Sequence, residues 1–102
     1  MPLHTRKRIE VIIEAPAAAL VLDLFNQFQV SGFTVVAASG GRGQHSSWNL
    51  SPVTDAQQQV IVVAVLGEER ATRLVEAIGA LLEDYRGIVT LSTVEVLRPG
   101  RF

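Results

Sequence analysis

The sequence predicts an α+β fold, an antiparallel four-stranded sheet with two helices on one face. Three observations carry this. The chain has 102 residues, the size of one domain. Its hydrophobic period switches between that of a strand and that of a helix in the order β-α-β-β-α-β. Glycine or proline punctuates most of the switches.

The elements follow in order. Residues 8–13 alternate, putting Ile9, Val11 and Ile13 on one face of a first strand. Pro16 sits where a helix tolerates proline, in its first turn. Over 17–30, Ala18, Val21, Leu22, Phe25 and Phe28 form one helical stripe, with Leu20 and Leu24 off it. Ser31-Gly32 ends that helix, and Gly32 is the expected left-handed cap. Residues 33–38 read as a second strand, and residues 39–57 carry no regular period. The nearly continuous apolar run 60–66 suits a sheet centre or an interface. Gly67-Glu68-Glu69 opens a second helix with carboxylates at its positive end. Its core stripe is Ala71, Leu74, Val75, Ile78 and Leu82, and Glu69 stands four residues before Arg73. Asp84-Tyr85-Arg86-Gly87 turns the chain into a last strand over 88–97. This order is the ferredoxin-like split βαβ plan, a single domain over 1–102, and a plan so widely shared names no function.

Composition excludes several chemistries. Nine basic and ten acidic residues leave a net charge of −1, which disfavours nucleic acid as a partner. Without cysteine there is no disulfide, thiolate metal site or Cys nucleophile. Two histidines, His4 and His45, are too few for a His-based metal site, so no metal is expected. The basic N-terminus leads into no signal-type apolar stretch, and no run is long enough to span a bilayer. The expected location is cytoplasmic. With 48% hydrophobic residues the chain is apolar for so small a domain, and a partner subunit is the expected cover.

Chemistry concentrates in the long connection 39–57, which far exceeds the usual ~4–6 residues. It opens on Gly40-Gly41-Arg42-Gly43, directly after a strand. Glycines at positive φ can turn successive N–H groups into an anion-cradling nest, and Arg42 adds a fork of donors suited to phosphate. The cluster is neither a Walker A sequence nor a dinucleotide fingerprint. Trp48 either packs on the protein's own sheet or anchors a partner. His45 beside Arg42 reads as a solvated loop histidine before a reader of phosphate or bicarbonate or a pH sensor, and Ser46 and Ser47 are candidate phosphate acceptors or plain loop serines. The acidic pairs Glu68-Glu69 and Glu83-Asp84 fall at helix ends, where capping explains them, and no catalytic residue is expected.

Gly32-Phe33-Thr34-Val35-Val36, Gly40-Gly41-Arg42-Gly43, Asp84-Tyr85-Arg86-Gly87-Ile88-Val89 and Glu95-Val96-Leu97 together resemble the PII-like signalling proteins. The nearest branch is the one that regulates bicarbonate transport and carboxysome-linked carbon uptake. The resemblance implies a non-enzymatic homotrimer that binds adenine nucleotides in clefts between subunits. It implies a T-loop, about 39–57, that responds to the ligand and touches a target, a membrane transporter or carbon-fixation component. By resemblance, Thr34, Val35 and Val36 line the adenine side, and Gly40, Gly41, Arg42 and Gly43 the phosphate side. Gly87, Ile88 and Val89 complete the pocket. Arg98 matches a phosphate-facing arginine, although an end-of-strand cation in water accounts for it equally, and Arg101 is a further candidate. His45, Ser46, Ser47 and Trp48 form the partner-binding loop.

Departures from the family pattern narrow the expectation. The Cys-bearing C-terminal loop of some bicarbonate regulators is missing, the T-loop has no tyrosine, and the only lysine is Lys7. AMP, ADP or cyclic AMP is therefore expected before magnesium-ATP with 2-oxoglutarate, with ATP alone and bicarbonate still open. Location can extend to a membrane through the transporter, or to the carboxysome. Two other classes remain: a small dimeric enzyme of the cofactor-free monooxygenase type, and a structural trimer of the divalent-cation-tolerance type.

Overall fold

The structure is a computed structural model that describes residues 2–42, 47–48 and 58–98. Strand β1 is His4–Glu14, and a single 3-10 turn, Ala15–Ala17, carries Pro16 into helix α1, Ala18–Gln27. Then come β2 (Thr34–Ala37), β3 (Gly41–Arg42), β4 (Ser47–Trp48), β5 (Gln59–Leu66), α2 (Glu68–Leu81) and β6 (Gly87–Val96). The main sheet runs β2-β5-β1-β6, antiparallel throughout, as the ferredoxin-like plan requires. Among the described residues no helix is long and apolar enough to cross a membrane.

Alternation divides the sheet into two faces. Ile9, Val11 and Ile13 of β1 and Val62, Ala64 and Leu66 of β5 pack under the helices. Val21 and Phe25 of α1 and Ala71, Leu74 and Ile78 of α2 meet them, so both predicted stripes form the core. Phe25 also meets Phe33 edge to face, with ring centroids 5.6 Å apart. Leu20 is exposed, while Leu24 packs against the core.

The end of α1 corrects the expected cap. Gln29, not Gly32, has the positive φ, 60°. The Val30 N–H donates to the Phe25 carbonyl and the Gln29 N–H to the Asn26 carbonyl, the paired bonds of a Schellman cap. Val30 and Phe25 are both buried in the core, the two positions where a Schellman cap places its apolar residues. The Arg70 guanidinium donates to the Gln29 carbonyl from α2 at 3.2 Å. A side chain at positive φ is strained, so Gln29→Gly is expected to stabilise the protein by roughly 0.5–1 kcal/mol. Thermal unfolding checks this, and a lowered midpoint would count against it.

The connection between β2 and β5 is not wholly irregular. Gly41 pairs with Trp48 and Arg42 with Ser47, making a short antiparallel ladder separate from the main sheet. The alternation there is too short to show as a period. Gly87, expected as a turn residue, is the first residue of β6 and pairs with Ile13. Two bonds between Glu14 and Arg86 tie the preceding turn to the end of β1: the Glu14 N–H donates to the Arg86 carbonyl, and the Arg86 N–H to the Glu14 carboxylate.

Candidate functional site

The strand registers place the residues expected to bind ligand. Val36, Ile61, Ile12 and Ile88 lie side by side across all four strands, on the face turned away from the helices. Val36 and Ile88 thus share a row but sit on opposite edges of the sheet, three strand spacings or about 14 Å apart. Thr34, Val35 and Val36 are all exposed on the β2 edge. Gly87 and Ile88 are exposed on the β6 edge and Val89 is partly buried there.

Arg98 lies at the other end of the molecule. Gly87 pairs with Ile13 and Val96 with His4, so β6 carries the chain the length of the sheet, about 30 Å, before Arg98. One protomer therefore separates the residues into two groups on opposite edges and a third at the far end. Gly40 and Gly41 are exposed, and neither has a positive φ; Gly41 is extended in β3. The expected nest is not formed at these two glycines. Gly43, His45, Ser46 and Arg101, and the side chains of Arg42, Ser47 and Trp48, lie outside the described residues.

The far end holds a pocket of about 150 Å³. Arg98 lines it with Arg6 of β1 and Arg70 of α2, and Val65, Leu66 and Val96 are among its other lining residues. The sequence reading singled out Arg98 and missed the other two. Arg6 stands in the basic stretch ahead of the alternating residues 8–13 and Arg70 in a charged first helical turn, so neither context marks it. A wider groove of about 820 Å³ adjoins it, between the end of α1 and the start of α2. That groove mixes Arg70 and Arg73 with Glu68 and Glu69, and Arg73 lies 3.7 Å from Glu69, so its charges are balanced locally. Among the described residues, no acidic one lines the smaller pocket.

The family model for the nitrogen regulatory protein P-II matches residues 6–101. The chain belongs to the P-II family. The description of that family is regulatory, and its match spans both ends of the sheet just described. Among solved structures, P-II-like relatives superpose closely. CPII, a nitrogen regulatory PII-like protein from Thiomonas intermedia K12 bound to ADP, AMP and bicarbonate, matches with a TM-score of 0.89 and 25% identity. That match covers 99% of this chain and 96% of CPII. CPII bound to ADP and bicarbonate gives 0.87 and 28% identity, covering 99% and 97%. A PII-like signaling protein from Thermus thermophilus gives 0.84 at 20% identity, covering 100% and 99%, and shares the fold. No curated protein matches the sequence.

Proposed function

We propose that this P-II chain is a non-enzymatic sensor, a homotrimer that binds an adenine nucleotide in the clefts between its copies. The observation that carries the reading is the separation of the candidate residues within one protomer. A nucleotide cannot span from the β6 edge at Gly87 to Arg98, about 30 Å away. Two copies can bring one end of a sheet against the other end of a neighbour. The apolar outer face, with Ile12, Ile61, Val63 and Val65 half-buried and Val36 and Ile88 exposed, supplies the surface that such an assembly buries.

In this reading Thr34, Val35 and Val36 offer an apolar wall to adenine. Gly40, Gly41, Arg42 and Gly43 approach the phosphates, Gly87, Ile88 and Val89 contribute backbone groups, and Arg98 of a neighbouring copy supplies charge. ADP and AMP come first among ligands, because CPII, similar over nearly its whole length, is bound to them. CPII is bound to bicarbonate as well, which makes bicarbonate a second ligand to test. Ligand binding shifts the population of conformers of residues 39–57 by its differential affinity for them. That segment, with His45, Ser46, Ser47 and Trp48, then docks on a partner in inorganic carbon uptake or fixation. The partner is a transporter or a carbon-fixation component, and the protein acts in the cytoplasm, beside the membrane or at the carboxysome.

Calorimetric titration with AMP, ADP, ATP and cyclic AMP tests this. Micromolar to millimolar binding of at least one is expected. Arg42→Ala is expected to weaken phosphate-bearing ligands by about 1.5–3 kcal/mol, the value of a hydrogen bond to a charged group. Absence of binding by all four would refute the nucleotide reading and favour the ligand-free trimer. A mass of two chains by light scattering would favour the dimeric enzyme.

A further inference from the structure

We propose that Arg6, Arg70 and Arg98 form one pocket for a compact oxyanion, a phosphate group or bicarbonate, in which Arg6 and Arg70 bind the ligand directly. Three elements that are far apart in sequence, β1, α2 and the segment after β6, each contribute one arginine to the lining of the same pocket of about 150 Å³. Among the described residues, no acidic one lines it, and none of the three arginines is paired with a carboxylate. Other arginines of the chain do have such partners: Arg8 lies 2.9 Å from Glu10, and Arg73 faces Glu69. Three cations and no carboxylate among the described lining residues give the pocket one sign of charge, the sign that attracts an anion.

Two of the three side chains are tethered to the backbone. Arg6 spends one N–H on the Thr5 carbonyl at 2.7 Å, and Arg70 one on the Gln29 carbonyl at 3.2 Å. A guanidinium has five such donors in a fixed fork, so both keep most of theirs for a ligand. Size decides what fits. A whole small-molecule ligand commonly occupies ~300–1,000 Å³, so this pocket takes an anionic group and leaves any base and sugar outside. The inference rests on the nucleotide reading only for the source of a phosphate group.

Titration of the full-length protein with AMP, adenosine, inorganic phosphate and bicarbonate, compared with Arg70→Gln and Arg6→Gln, tests the pocket. Each substitution is expected to weaken AMP, phosphate or bicarbonate about tenfold or more, the scale of a charge-assisted hydrogen bond, and to leave adenosine unchanged. Arg70→Lys, which keeps the charge but loses the fork, is expected to fall between. Arg6→Gln leaves the contact to Gln29 intact and covers the case in which Arg70→Gln loosens the end of α1. Binding of phosphate or bicarbonate that depends on Arg70, with no binding of any nucleotide, would support the pocket and reject the nucleotide reading. Unchanged affinity for every anion in both Gln variants, with AMP still bound, would overturn the pocket and leave the nucleotide reading standing. Failure of all four ligands to bind would overturn the pocket as well.

Discussion

Replacing Gly87 by Ala is expected to destabilise the protein by about 1–3 kcal/mol, the usual cost of forcing extra volume into a packed site. A Cβ at Gly87 would lie 2.7 Å from the carbonyl oxygen of Ile12, 2.9 Å from Cδ2 of Leu82 and 3.2 Å from Cγ1 of Ile13. Ile12 belongs to β1, which is paired on both sides, so its backbone oxygen has nowhere to retreat. The sign is informative. At a site without clashes, Gly→Ala stabilises by reducing the freedom of the unfolded chain. Gly79, inside α2 with nothing within 4 Å of its would-be Cβ, provides the control, and Gly79→Ala is expected to stabilise by about 1 kcal/mol. Thermal unfolding midpoints read both changes, at roughly 4–8 °C per kcal/mol for a domain of this size. A Gly87→Ala protein as stable as the parent would remove the packing argument. A loss of nucleotide affinity larger than its loss of stability explains would assign Gly87 to the ligand as well.

Gly87 shows where reading a sequence stops. A glycine before an apolar strand signals a turn, and only the tertiary approach of β1 and Leu82 shows that the residue must lack a side chain. Local signals carried the rest of the fold well. Period-two alternation identified the core face of β1, and helical spacing identified both core stripes, because burial on one side of a regular element writes itself into the pattern. The cap of α1 escaped because Gly32 is the better residue for a left-handed conformation. Burial of Val30 and Phe25, with the Val30 N–H bonded to the Phe25 carbonyl, instead sets the cap three residues earlier, at Gln29. The candidate site was legible only as separate strings of residues. That Val36 and Ile88 stand on opposite edges, and that Arg6 and Arg70 join Arg98, depends on strand order and long-range packing. No local period records either.

Ile61→Asp is expected to abolish assembly, leaving a folded single chain with nucleotide affinity reduced by at least tenfold. Ile61 lies in the middle of the row Val36–Ile61–Ile12–Ile88, on the face away from the helices, so its replacement leaves the core under α1 and α2 untouched. Burying an isoleucine between copies stabilises by roughly 1.5–3 kcal/mol, and the variant loses this in every copy. It also brings a carboxylate with no partner into the interface, a larger penalty still. The charges that flank this row toward the far end of the sheet are already paired, with Arg8 2.9 Å from Glu10. The introduced carboxylate would stand on the far side of Glu10 from Arg8, beside a like charge and out of reach of the cation. Light scattering reads the mass, circular dichroism the retained fold, and calorimetry the affinity for ADP. An assembled variant that binds ADP normally would refute the interface. A folded single chain that still binds ADP would spare the interface and refute the cleft, because the residues at the two ends of the sheet would then have no need to meet across two copies.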